Sequence, residues 1–240
     1  MKLTAALVAI GFVAFAAGWW LGRSSALDVR AGERFARLEA DVERIRSDLR
    51  ALGGAGSPSG QPGPDPAKVY EIAIGSSPTL GAPDAAVTII QIADFECPFC
   101  SSAVPTMKRL LEVYSGQVRL VFKHNPLPIH PRALQAHKAS MAAAAQGKFW
   151  EMHDRLFASQ EKLELEDLKS HAKELGLDLA AFERDMSSPA TAEAIKADQI
   201  LAGRFGSIGV PSFFINGRFI PGAQPYDLFR DRIEEELRAQ

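Results

Sequence analysis

The chain has 240 residues, with 27 basic and 29 acidic side chains and a formal net charge of -2. So balanced a charge gives no general attraction to nucleic acid, and no phosphate-binding loop, nucleotide fingerprint or internal repeat is present. Two cysteines in the whole chain exclude a disulfide-stapled scaffold.

The first element is apolar. After Lys2, the stretch Leu3 to Gly22 carries no charge, ends in Trp19 and Trp20, and is followed by Arg23. Its length suffices for one helical crossing of a bilayer, and the tryptophans suit the membrane interface. Residues 1-23 are therefore expected to be a membrane anchor; the alternative is a cleaved secretion signal, since Ala14-Phe15-Ala16 fits the small-residue cleavage rule. Either reading places the rest of the chain on the periplasmic or extracytoplasmic side, tethered in the cytoplasmic membrane if the anchor is kept.

Residues 24-52 are expected to be a coiled-coil helix. Phe35, Leu38, Val42, Ile45, Leu49 and Leu52 alternate at spacings of three and four, and with Phe35 at position a the flanking charges pair Arg34 with Glu39 and Asp41 with Arg46. Homo-oligomerisation through residues 28-52 is the expectation, and a solitary amphipathic helix is the alternative. Gly, Pro and Ser dominate residues 53-66, which read as a flexible linker. Residues 67-240 are long enough for one substantial core.

The chemistry lies at Cys97-Pro98-Phe99-Cys100, after the apolar run Val87 to Ile92. If Ala86 to Phe95 is a buried strand and Pro98 the first helical residue, Cys97 becomes an N-cap at the exposed, positive end of a helix dipole. That position favours the thiolate, which is the nucleophile in disulfide exchange, and Cys100 can resolve the mixed disulfide one turn further on. Zinc is disfavoured: a knuckle needs four ligands, and His124, His130 and His137 lack finger spacing. A purely structural bridge over so short a loop restrains the unfolded chain little. No metal and no organic cofactor is expected.

Residues 131-206 show an alanine-rich helical pattern, in which His137, Met141, Trp150, Met152 and Phe157 read as packing residues. Beyond them, Val210-Pro211 precedes the run Ser212 to Ile215, a two-residue Asn216-Gly217 turn and the run Arg218 to Ile220, the pattern of a β-hairpin.

These motifs, in this order, resemble the DsbA-like branch of the thioredoxin superfamily, over roughly Gly75 to Gln240. Lys123-His124-Asn125-Pro126-Leu127-Pro128 and Gly147 to Asp154 are also similar to stretches common in that family. The resemblance implies an α/β, thioredoxin-like fold with an inserted helical subdomain at about 131-206. It further implies a thiol:disulfide oxidoreductase acting on exported proteins with thiols and served by a membrane redox partner. It assigns Cys97 and Cys100 as the catalytic pair, with Pro98 and Phe99 tuning it. Val210-Pro211 is then a cis peptide beside Cys97, its backbone shaping a substrate groove that works by strand addition.

The chain departs from the family at two places. Phe99 stands where strongly oxidising members carry His, so a donor beside Cys97 is missing and its pKa is expected to be less depressed. Gln91 stands where many thioredoxin-like proteins hold a buried acid, six residues before the first cysteine. Asp94 and Glu96 are the candidate replacements as proton acceptors, although charged residues are rarely buried unpaired and a solvated loop position is expected for both.

Overall fold

A computed structural model describes residues 63-206 and 208-239; the anchor, the coiled coil and most of the linker expected from the sequence lie outside them. Among the described residues, no helix is long and apolar enough to cross a membrane.

Among the described residues, five strands form one mixed sheet: β1 (Thr79–Gly81), β2 (Val87–Ala93), β3 (Val118–His124), β4 (Ser212–Ile215) and β5 (Arg218–Pro221), in the order β1-β3-β2-β4-β5. The β-branched run of β2 is buried on both faces, as a central strand requires. It pairs parallel with β3, Val87 opposite Val118 and Ala93 opposite His124, and antiparallel with β4, Ile90 opposite Phe214. The parallel pair needs a crossover, supplied by α1 (Pro98–Val113).

The β4-β5 hairpin closes on Asn216 and Gly217, both at positive φ (44° and 85°), the geometry that matches strand twist in a two-residue turn. Asn216 also ties the hairpin to the central strand: its Oδ1 accepts from the Thr88 amide at 2.9 Å, and its own amide donates to the Thr88 carbonyl at 3.0 Å. Any side chain at Gly217 would run into the Tyr70 carbonyl.

Between β3 and β4 the chain forms α2 (Ala133–Ala145), α3 (Phe149–Ala158), α4 (Leu165–Glu174), α5 (Leu179–Met186) and α6 (Pro189–Gly203), and α7 (Tyr226–Arg238) follows the hairpin. Ala136, Ala139, Ala142 and Ala143 are buried on α2, where small side chains permit close helix packing. One face of the sheet, through Ile89, Leu120, Phe213 and Ile215, meets Met107 and Leu110 of α1 and Phe229 and Ile233 of α7. The other face, through Ile90, Ile92, Val121 and Phe214, meets Ala202 of α6 with Tyr70 and Phe205. A third cluster joins the inserted helices to the C-terminal end of β2 and holds both cysteines with Phe95 and Phe122, whose stacked rings lie 5.0 Å apart. Each fully buried ring of this kind contributes about 2 kcal/mol from apolar transfer. The cysteine pair is thereby mounted where sheet and helical insertion meet.

Candidate active site

β2 ends at Ala93, and four residues later Cys97 caps α1 with extended backbone angles (φ -78°, ψ 121°) and Pro98 in the first helical position. Proline costs nothing there, because the amide it lacks has no intrahelical partner. The Cys97 carbonyl accepts from the amides of Cys100 (3.1 Å) and Ser101 (3.2 Å), and also from Gln160 Nε2 (3.0 Å), which reaches the Phe95 carbonyl at 2.7 Å as well. The approach to the helix is thus clasped from the insertion.

Both cysteines are free thiols. Cys97, expected at an exposed helix end, is only 4 % exposed, since the insertion and the loop before β4 close over it; Cys100 is completely buried. The Cys97 thiol donates to the Val210 carbonyl at 3.5 Å. Its pKa is lowered from 9.0 to about 6, first by the Cys100 thiol hydrogen-bonding the thiolate and then by the amides of Cys100 and Phe99, with burial opposing. Cys100 is pushed far the other way, by burial and then by the neighbouring Cys97. Its sulfur accepts from the Asp94 amide at 3.4 Å. One sulfur is thus a ready thiolate, while the other keeps its proton until the reaction takes it.

Val210-Pro211 is a cis peptide, and Val210 packs against the cluster containing both cysteines. Phe99, by contrast, is 67 % exposed and turned toward solvent.

Asp94 and Glu96, expected as solvated loop charges, are instead both held by partners. The Asp94 carboxylate is fully buried: Oδ1 accepts from the Glu96 amide (2.8 Å), and Oδ2 from the Leu127 amide (2.8 Å) and His130 Nδ1 (2.7 Å). Glu96 accepts from the Arg132 amide at 2.7 Å and from its guanidinium at 2.9 Å. Paired and hydrogen-bonded carboxylates escape the cost that forbids lone buried ones. The partners come from a segment 36 residues further along, between β3 and α2.

Three further polar side chains, Gln91, His124 and His137, are buried. Gln91 is 1 % exposed, and its Nε2 has no partner among the described residues. His124 and His137 share one proton between their Nδ1 atoms at 2.7 Å, and burial keeps both neutral, with His124 lowered to about 3. His137 Nε2 faces Asp94 Oδ1 at 3.9 Å, which favours the tautomer with hydrogen on that nitrogen. His137, Met152 and Phe157 are buried as expected; Met141 and Trp150 are only partly so.

Residues 88-234 match the family model for the DSBA-like thioredoxin domain. Among solved structures, the chain is similar to a thioredoxin-like oxidoreductase from Silicibacter pomeroyi DSS-3, with 29% identity and a TM-score of 0.64 over 69% of this chain and 95% of that one. It is also similar to BdbD from Bacillus subtilis, at 22% identity and a TM-score of 0.64, over 71% and 97% of the two chains. Among curated proteins, Na(+)/H(+) antiporter NhaA 3 of Salinispora tropica is 43% identical over 149 residues, which are 62% of this chain. The aligned stretch is only 22% of that antiporter's length.

Proposed function

Because the chain belongs to the DSBA-like thioredoxin domain family, we propose that it exchanges disulfides with protein substrates through Cys97 and Cys100. In the reductive direction the Cys97 thiolate attacks a substrate disulfide, forming one mixed S–S bond and expelling a substrate thiolate. Cys100 then gives up its proton and attacks the Cys97 sulfur; the mixed bond breaks and the second substrate thiolate leaves. Oxidation of a dithiol substrate runs the same steps backwards. The observation that carries this reading is the division between the sulfurs: Cys97 is lowered to about 6 at the mouth of α1, and Cys100 is held as a buried thiol behind it.

The Val210 carbonyl, already within reach of Cys97, supports a groove in which an extended substrate segment adds as a strand beside Val210 and Pro211. The apolar stretch Leu3 to Gly22 supports export and tethering, and the heptads of residues 28-52 support self-association, several active sites being held together outside the cytoplasmic membrane. A membrane redox partner would reset the pair. Antiporter activity is not carried over, since the similarity covers about a fifth of those proteins. The exposed, non-donating Phe99 favours a mild oxidant, and so isomerisation or reduction as the alternative to net oxidation.

Equilibrating the protein in glutathione buffers of graded ratio tests this reading. A catalytic pair titrates reversibly within the range of the buffers; a bridge that stays closed throughout would leave a tethered scaffold with a structural disulfide.

A further inference from the structure

The motif lacks the histidine that stabilises the thiolate in strongly oxidising relatives, yet a histidine stands close by in the fold. Asp94 joins three groups: its amide donates to Cys100 Sγ, its carbonyl accepts from the Cys97 amide (3.2 Å), and its carboxylate holds His130 Nδ1 at 2.7 Å. His130 is therefore two hydrogen bonds from either cysteine. The segment bearing it is fixed at both ends by the acids that precede the pair, Leu127 to Asp94 and Arg132 to Glu96. Within it the His130 amide donates to the Leu127 carbonyl at 3.0 Å. The imidazole side chain is 18% exposed, so water reaches it while it stays on its carboxylate.

Resting on the thiol-exchange reading, we propose that His130, oriented by Asp94, supplies from outside the Cys-Pro-Phe-Cys segment a positive charge that stabilises the Cys97 thiolate through space. Its hydrogen bond goes to Asp94 and not to a sulfur, so its part is to place a charge, not to react. Among the described residues, the titratable groups around it are Asp94 itself, the Glu96–Arg132 pair, Cys97 and, behind Asp94, His137, which burial keeps neutral. Arg132 is bound by Glu96, burial keeps His137 neutral, and His130 is held by Asp94. The charge from His130 acts on Cys97 in the lowering direction. A stabilised thiolate favours the dithiol over the disulfide, so a positive charge at His130 makes the pair more oxidising.

His130→Gln keeps a donor for Asp94 and removes the charge; His130→Lys keeps a charge. In the Gln variant the thiolate-to-thiol ratio of Cys97 at fixed pH should fall roughly threefold to tenfold, with the glutathione equilibrium moving toward the disulfide by a like factor. The Lys variant should recover both. An unchanged Cys97 titration in a folded, exchange-competent Gln variant would overturn the proposal, leaving His130 a staple for its loop. If either variant fails to fold, linkage allows the same test on the unaltered protein: the NMR titration of the His130 ring must differ between the oxidised and reduced forms. Coincident curves would overturn the coupling. A wild-type pair that never equilibrates with glutathione would instead sink the thiol-exchange reading, a separate result.

Discussion

Cys97 and Cys100 lie one helical turn apart, yet their surroundings drive them in opposite directions. Around Cys97 the chain presents donors: the amides of the first turn of α1 and the neighbouring thiol. Around Cys100 it presents Ala93, Phe95 and the aromatic rings of the insertion, with a single amide from Asp94. Spacing makes the pair; the tertiary environment divides the labour. The groups around the pair come from the turn between β2 and α1, from the segment after β3 and from the loop before β4, so residues distant in sequence shape the site.

The largest effect expected from this asymmetry is qualitative. Cys100→Ala leaves a nucleophile that cannot be released, so mixed disulfides with client proteins should accumulate on non-reducing gels, while Cys97→Ala should trap nothing comparable. Trapping through Cys100 alone would reverse the assignment. Next in size is Asp94→Ala, which strands the Leu127 and Glu96 amides and the His130 ring. A loss of roughly 3 kcal/mol in denaturant unfolding is expected, and a neutral result would mean that the loop re-forms its contacts with water.

A smaller effect is the pH dependence of the reduced protein. Cys97 is lowered from 9.0 to about 6, so its ionisation stabilises the fold fully above pH 9 and the gain is lost as pH falls through 6. Cys100 is raised, so it acts in the opposite sense and erodes stability only above pH 9. The thermal midpoint of the reduced protein should therefore rise between pH 6 and 9 relative to Cys97→Ser; a flat difference would contradict the lowered thiol. The smallest is Phe99→His, expected to shift the glutathione equilibrium by about threefold toward the dithiol if the imidazole turns from solvent to the sulfur. No change would mean that the exposed position cannot reach Cys97.

Local chemistry was legible in the sequence. The N-cap at Cys97 with Pro98 after it, and the hairpin on Asn216-Gly217, follow from residues next to one another. The helical insertion was legible from its alanine-rich pattern. β1 was not, being three exposed residues on the sheet edge, and neither was β3, where Arg119, Lys123 and His124 interrupt the apolar run. Lys123 is tolerated inside because Asp198 of α6 meets it at 3.1 Å, and no local pattern reveals that partner. The burial of Asp94 and the pairing of Glu96 are hidden for the same reason: local reading weighs a carboxylate by its neighbours in sequence, and His130 and Arg132 are not among them. Gln91 is buried with an unpartnered Nε2, and the fold surrounds Asp94, not Gln91, with donors.

The most direct test of the central claim is the ultraviolet thiolate absorbance of the reduced protein followed against pH, with Cys97→Ser and Cys100→Ser in parallel. One sulfur should ionise near pH 6, vanish in Cys97→Ser and persist in Cys100→Ser at a higher pH, since the Cys100 thiol is the first of the groups lowering it. A single transition near the ordinary 9.0, or an early transition that survives in Cys97→Ser, would contradict the account.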